Sequence, residues 1–412
     1  MLSVAEARSR IIARLQPVAA ETVDLAVALG RILAQPVFAP HALPPFANSA
    51  MDGYAVRAAD LATASSASPV TLRVIEDIAA GQIPKSTLSA GTVARITTGA
   101  LLPAGADAVI PVEWTGTDRP QSADLCPPTI RVAQGVEPGR YIRAAGSDVP
   151  QGKLVLPAGA RLSGPAVGLL AALGIGRVAV ASRVRVAVLS TGNELVPLGT
   201  PLAAGKIHNS NSYTLAALIQ EAGCTPIDLG IVPDSVDAVE LRLEDAVQQG
   251  AQLIVSSAGV SMGNLDVVRQ TLEKSQRVDF WQVNMRPGKP VLFGTHNGVP
   301  FLGLPGNPVS AIIAFELFAR PALLHMSGCA QWERPVVMAR LAADIQSDGR
   351  ETYVRARVEL DERSGELSAR TSGGQDSHML GALANANALL IIPAGVKSVL
   401  GGDLLKAWLL PV

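Results

Sequence analysis

Residues 183–194 read Arg183-Val184-Arg185-Val186-Ala187-Val188-Leu189-Ser190-Thr191-Gly192-Asn193-Glu194, and this stretch decides the fold. The apolar run 184–189 has the length and β-branched content of a buried strand, and it empties into a loop of hydroxyl and glycine residues. Downstream the same rhythm repeats. A helix is predicted after Asn209, ending at Gly223, then a strand near 227–231 and a helix from Ser235 to Gln249 closed by Gly250. A strand at 253–255 precedes a Gly/Ser loop, and Asn307-Pro308, a capping residue followed by proline at the first helical position, opens another helix. Strands alternating with helices of this length imply parallel pairing, so 182–326 reads as a three-layer α/β/α domain.

Outward from that domain the patterning changes. Ser3-Val4-Ala5-Glu6 has capping-box spacing, and Ala7, Ile11, Ile12 and Leu15 continue at helical intervals up to Pro17, so the chain opens with an amphipathic helix. From Pro69 to Pro157, short alternating runs such as Val70, Leu72, Val74 are broken by repeated glycines, which predicts a β-rich unit forming a small barrel. Residues 165–173 read as a helix stopped by Gly174. After a mixed-composition linker at 325–335, Val354, Ala356, Val358 and Leu360 alternate with Arg355, Arg357 and Glu359, giving an apolar face and a face with two arginines. The chain is therefore a multi-domain α/β plus β protein. Its predicted parts are 1–46 with 145–181, an inserted β-rich segment 47–144, the α/β domain 182–326 and a C-terminal, barrel-like β domain 335–412.

Composition bounds what such a chain does. At roughly 150 residues per domain, 412 residues suggest about three units, and a 48% hydrophobic content can fill their cores. Lys+Arg 34 against Asp+Glu 35 leaves a net charge of −1, without the broad positive field of a non-specific nucleic-acid binder. Cys126, Cys224 and Cys329 are too far apart in sequence for a compact thiolate metal site, and the five histidines form no ligand pair. Glu6, Arg8, Arg10 and Arg14 interrupt the start in a way no secretory signal tolerates, and the charge-free apolar stretch 162–176 is shorter than the ~18 residues that span a bilayer. A cytoplasmic protein with neither a membrane nor a nucleic-acid partner is expected.

Ligands of open parallel sheets bind beyond the carboxyl ends of the strands, and three such ends here carry small-residue loops. They are Ser190-Thr191-Gly192-Asn193-Glu194, the 256–263 loop with Ser257, Gly259, Ser261 and Gly263, and Gly303-Leu304-Pro305-Gly306-Asn307-Pro308. One such loop alone is an ordinary turn; three on one edge form an anion site of glycines, hydroxyls and a helix N-terminus. Met285-Arg286-Pro287-Gly288-Lys289-Pro290 sets two cations around a rigid turn, suited to a phosphate or a tetrahedral oxyanion, although a solvated basic turn has the same pattern. Glu194, Asp234 and Asp266 lie in or beside the strand-end loops, where carboxylates commonly hold Mg²⁺, while Asp234 has an equal reading as a helix cap. Asn209-Ser210-Asn211 reads first as a helix cap and second as a ligand contact.

The segments 48–55 (Asn-Ser-Ala-Met-Asp-Gly-Tyr-Ala), 97–109, Arg143 to Asp148, 190–195, 257–266, 286–290 and 303–310, in this order, resemble the molybdopterin molybdenumtransferase family, the bacterial MoeA proteins and the gephyrin E domain. The central loops alone also occur in stand-alone molybdopterin adenylyltransferases and competence-damage-type nucleotide hydrolases. Only the larger family adds the 48–55 segment and both β domains. The resemblance implies an elongated dimeric subunit that inserts molybdate, or tungstate, into adenylylated molybdopterin and releases AMP with Mg²⁺ present. It also implies transient contact with the molybdopterin adenylyltransferase and with cofactor-accepting enzymes. Carried over residue by residue, its functional positions are Asp52, Thr98, Asp148, Glu194, Asp234, Asp266, Arg286, Lys289, Pro305, Pro308, Arg357 and Ser377, with Arg355 an alternative to Arg357 on the same strand face. Asp52, Thr98 and Asp148 are expected to reach the cleft from a partner subunit. Gln282 stands where some relatives carry lysine, leaving Arg286 and Lys289 more of the charge. A non-catalytic scaffold, or a hydrolase or adenylyltransferase on the same central module, are the rival readings.

Overall fold

The computed structural model describes residues 1–116, 126–258, 267–274, 278–362 and 364–411. They form two compact units, Met1–Gln35 with Ala158–Ser163 and Arg177–Val412, and Pro36–Pro157 with Gly164–Gly176.

The larger unit is built on a six-stranded sheet in the order Thr225–Val232, Arg185–Thr191, Leu253–Ser257, Val299–Leu304, Pro290–His296, Val278–Gln282. Its first four strands are parallel, and their registers set Ser190 beside Ser257 and Ser257 beside Leu304. That alignment brings the strand-end loops to one edge. The last two strands run antiparallel, which the strand–helix rhythm did not foretell. Pro290–His296 turns back into Val299–Leu304 through Asn297 and Gly298, both with positive φ (47° and 84°), the local twist that closes a two-residue hairpin. One sheet face packs Val186, Val188 and Leu302 against Leu215, Ile219 and Phe315, the other packs Ala187, Ile254 and Phe301 against Val239, Leu243 and Leu272, and three layers result.

The opening helix Val4–Ile12 carries the expected reciprocal Ser3–Glu6 capping box and buries Val4, Ala7 and Ile11 in the first of these cores. It ends at Ile12, short of Pro17. The continuous helix Pro308–Met326 is apolar and long enough to cross a membrane by length and composition, but 83% of its apolar window is buried inside the protein, so it is a core helix. It passes through a π segment, Phe315–Ala319, just before Pro321, whose ring nitrogen donates no hydrogen bond. Glu316, buried on that segment, receives both arms of Arg334 (2.9 and 2.8 Å), tying the predicted linker to the core helix.

Beyond the linker, strands Val336–Leu341, Glu351–Leu360, Leu367–Thr371, Ala388–Ile392 and Leu404–Leu409 pair in a closed ring. Val354, Ala356 and Val358 point into this barrel, as their alternation predicts. The opposite face is not uniformly polar: Arg355 is completely buried, whereas Arg357 is exposed.

In the second unit, the sheet runs Ala108–Pro111, Gly53–Val56, Thr92–Ile96, Val70–Ile78, Thr129–Val132, Thr115–Gly116. Among the described residues no pairing joins its two outer strands, so the predicted small barrel takes the form of an open half-barrel. The expected helix forms at Gly164–Ala172 and is followed by Gly174 at φ 69°.

Candidate functional site

Two cavities in the larger unit collect predicted residues from several segments of the chain. The larger, about 530 Å³, is lined by Thr191, Glu194, Ser257, Gly306, Asn307 and Pro308 from the three loops, with His208, Asn209 and Asn211 from the next helix start and His378 from the barrel domain. Asn209 caps that helix through Ser212 N–H (3.3 Å). The Asn211 amide bridges two loops, donating to Ser257 Oγ at 2.6 Å and to the Gly306 carbonyl at 2.7 Å. Thus the capping reading belongs to Asn209 and the bridging role to Asn211. The hydroxyls of Ser190 and of Thr191, the latter on the cavity's lining, are buried without a hydrogen-bond partner, a costly state for a polar group.

Glycine is needed where these loops fold tightly. At Gly192 (φ 153°) a Cβ would lie 2.7 Å from both carboxylate oxygens of Glu194, so that carboxylate folds back over the turn. On the other side of the turn, Asp234 Oδ2 accepts the Asn193 N–H at 3.1 Å. Asp234 is not the helix cap: Ser235 is, accepting from Ala238 N–H at 3.2 Å. Glu194 and Asp234 therefore flank the Gly192-Asn193 turn, offering oxygen donors of the kind Mg²⁺ takes together with water and substrate phosphates. Among the described residues no three acids, histidines or cysteines converge as a metal group. Gly259, Ser261, Gly263 and Asp266 lie outside the described residues.

The start of the Pro308–Met326 helix offers fewer free donors than its sequence suggested. Pro308 has no N–H, Val309 N–H goes to the Ser377 carbonyl (3.2 Å) and Ala311 N–H to the Asn307 carbonyl (2.9 Å). The Asn307 amide does not cap the helix but donates to Ser377 Oγ at 2.9 Å. The loop's hydroxyl and amide side chains, more than its helix end, are what a ligand meets.

The smaller cavity, about 300 Å³, shares Asn307 and adds Arg286, Pro287, Gly288, Pro305, Ser310, Arg350 and Gln375-Asp376-Ser377. Lys289 is half-buried and lies outside this lining, so its charge does not join Arg286 there; the second cation is Arg350, which the sequence reading missed. Arg350 clamps Asp348 and donates from Nη1 to the Met285 carbonyl at 3.0 Å. The Arg350 guanidinium beside Asp348 holds that carboxyl down to about 2.

Of the two barrel arginines, the exposed Arg357 pairs with Glu359 at 3.0 Å, a surface contact. Arg355 instead braces the loop that carries Ser377, donating to the carbonyls of Gly374 (2.7 Å) and Asp376 (3.2 Å), and leaves Nε and Nη1 without partners. Burial lowers its pKa. Of the pair, Arg355 is the one that contacts the loop carrying Ser377.

In the other unit, Asp52 Oδ1 accepts the Thr98 N–H at 2.7 Å, joining two predicted residues. Asp148 is exposed and its backbone N–H goes to the Leu43 carbonyl at 3.1 Å; its side chain makes no hydrogen bond to that pair. Gly53 follows from packing: a Cβ there would meet the Ile110 carbonyl oxygen at 1.9 Å, so the segment is a close strand approach and not merely a turn.

A fold that joins a strand-end ligand edge to flanking β domains matches known proteins along nearly its whole length. Residues 2–174 match the MoeA N-terminal region (domains I and II), 187–325 the molybdopterin binding domain, and 338–410 the MoeA C-terminal region (domain IV). Molybdopterin molybdenumtransferase 2 of Mycobacterium tuberculosis is 40% identical over 395 residues, 94% of each chain. Molybdopterin molybdenumtransferase of Haemophilus influenzae is 35% identical over 406 residues, 98% of this chain and 97% of its own. The crystal structure of the molybdopterin biosynthesis MoeA protein of Pyrococcus horikoshii superposes with a TM-score of 0.85 at 29% identity, covering both chains completely. The chain belongs to the MoeA family.

Proposed function

We propose that this protein is a transferase of molybdenum cofactor biosynthesis, a molybdopterin molybdenumtransferase that inserts molybdate into adenylyl-molybdopterin and releases AMP. The observation that carries the reading is the pair of adjoining cavities meeting at Asn307, one partly apolar with mostly neutral hydroxyl and amide side chains as its polar groups and one with two guanidinium groups. The first suits the pterin and its phosphoanhydride, with Ser190, Thr191 and Ser257 donating to it; the second suits a tetrahedral dianion held by Arg286, Arg350 and Ser377, on a loop that Arg355 braces from behind. Matches over both β domains, and not over the central module alone, support the transferase over a stand-alone hydrolase or adenylyltransferase.

Glu194 and Asp234, with Asp266, are the residues that hold Mg²⁺ in this reading, and Asn193 fixes the Asp234 carboxylate through its N–H. The cation supplies neutralisation of phosphate charge. We propose further that the enzyme is a cytoplasmic homodimer, with Asp52, Thr98 and Asp148 serving the cleft of a second copy. The test is direct: purified protein given adenylyl-molybdopterin, molybdate and Mg²⁺ yields metal-loaded cofactor and AMP, chelation of the cation stops it, and light scattering reports twice the 42.6 kDa chain mass. Absence of AMP in the complete mixture overturns the transferase reading; a monomer with full activity overturns the shared site.

A further inference from the structure

Behind the two arginines of the smaller cavity, outside its lining, stands an acid that the reading above leaves without a part. Asp348 stands just before the barrel strand Glu351–Leu360, and Arg350 Nε lies 3.2 Å from its Oδ1 and 3.0 Å from its Oδ2, with Nη2 also on Oδ2. Arg286 Nη1 approaches the same Oδ2 to 3.8 Å. We propose that Asp348 is a positioning residue of the oxyanion pocket, the anion that holds the guanidinium groups of Arg286 and Arg350 side by side so that both face one small tetrahedral dianion.

Two guanidinium groups on one 300 Å³ cavity repel each other, and a shared carboxylate removes that repulsion while fixing their spacing. The turn is fastened to the barrel in two further ways: Met285–Arg286 pairs in parallel with Glu351 and Thr352, and Arg350 Nη1 donates to the Met285 carbonyl. A guanidinium has five N–H groups. Arg350 uses Nε and one hydrogen on each Nη in these bonds, leaving one on each Nη for the cavity it lines.

This inference rests on the reading of the cavity as the molybdate site, and it makes a prediction opposite in sign to simple electrostatics. Removing an acid beside an anion pocket that already contains Asp376 should tighten anion binding if charge alone matters. If Asp348 positions the arginines, its removal weakens binding. The full-length protein and its Asp348→Asn, Arg350→Gln and double variants are titrated with sodium molybdate by calorimetry and assayed for AMP release. Expected are roughly tenfold weaker molybdate binding and a matching rise in KM for molybdate. The KM for adenylyl-molybdopterin and the rate of Asp348→Asn at saturating molybdate stay unchanged, and the double variant loses less than the sum of the two single ones, as for residues that act through one another. Asp348→Glu restores part of the affinity. Equal or tighter molybdate binding by Asp348→Asn, or full additivity in the double variant, overturns the proposal. If Asp348→Asn does not fold, Arg350→Lys, which keeps the charge but not the fork, decides by the same KM: a rise supports the proposal and an unchanged value overturns it. Wild-type protein that binds no molybdate overturns the function reading and the proposal with it, an outcome distinct from failure of the variants alone.

Discussion

The two cavities that meet at Asn307 are made of different material. The larger draws on the ends of parallel strands and on the helix start at Asn209, and its ligand groups are chiefly hydroxyls and amides fixed by tight turns. The smaller is formed between a two-residue strand and a barrel, and its specificity comes from a few charged side chains that constrain one another. Many modest donors share the hold on a ligand in the first, whereas a dianion in the second depends on two or three strong contacts. Substitutions should therefore be graded in one cavity and abrupt in the other.

The largest expected effect is at Arg286. Its loss removes a charge-assisted contact of about 1.5–3 kcal/mol, so Arg286→Ala should lower molybdate affinity by roughly tenfold to a hundredfold. Adenylyl-molybdopterin affinity should stay within about threefold of wild type, since no single contact dominates the larger cavity. Calorimetry with each ligand separates the two, and a larger loss of adenylyl-molybdopterin affinity would exchange the cavities' assignments. Asn307→Ala comes next, because Asn307 lines both cavities and anchors Ser377. It should weaken both ligands several-fold, and an effect confined to one would show that the cavities are not joined through this residue.

Ser190→Ala sharpens the contrast from the other side. The Ser190 hydroxyl is buried and unpaired, so removing it should leave the melting temperature of the ligand-free protein unchanged or raised. Adenylyl-molybdopterin should bind about 0.5–1.5 kcal/mol less tightly, with molybdate affinity untouched. A fall in the ligand-free melting temperature would mean the hydroxyl has a structural partner and no ligand role.

The difference between the cavities also governs how far each could be read from sequence. The 190 and 303 loops were legible because strand ends in register share an edge and their residue types already name their chemistry. The Asn297-Gly298 hairpin was overlooked although its dipeptide carries the turn signal. The barrel side was hardest. Alternation at Val354, Ala356 and Val358 says which face is apolar, but not that the loop bearing Gly374 and Asp376 covers Arg355 while Arg357 stays in solvent. Arg350 reaches Met285 across 65 residues through a strand pair only two residues long, too short to leave a pattern. In the other unit, the need for glycine at Gly53 is invisible in the sequence because the 1.9 Å conflict with Ile110 exists only once two strands have come together.

The smallest effect tests whether the charged cavity is held by the Asp348 clamp even without ligand. Arg350 depresses the Asp348 carboxyl from its ordinary value of 3.8 to about 2. A carboxylate whose folded-state pKa is lowered stabilises the protein fully above its unfolded value and loses that contribution as pH falls through the folded one. Comparing wild type with Asp348→Asn cancels the acid titration of all other groups. The wild-type advantage in melting temperature should be constant from pH 7 to about 5, shrink between roughly pH 4 and 2, and vanish below. The size will be small, because the side chain is 37% exposed and water screens the pair. The same comparison between wild type and Ser190→Ala should be flat over that window, since a hydroxyl does not titrate there. An advantage at Asp348 that persists unchanged to pH 2 would mean that packing and not charge holds the clamp, and the contrast between the cavities would then lie in their ligands alone.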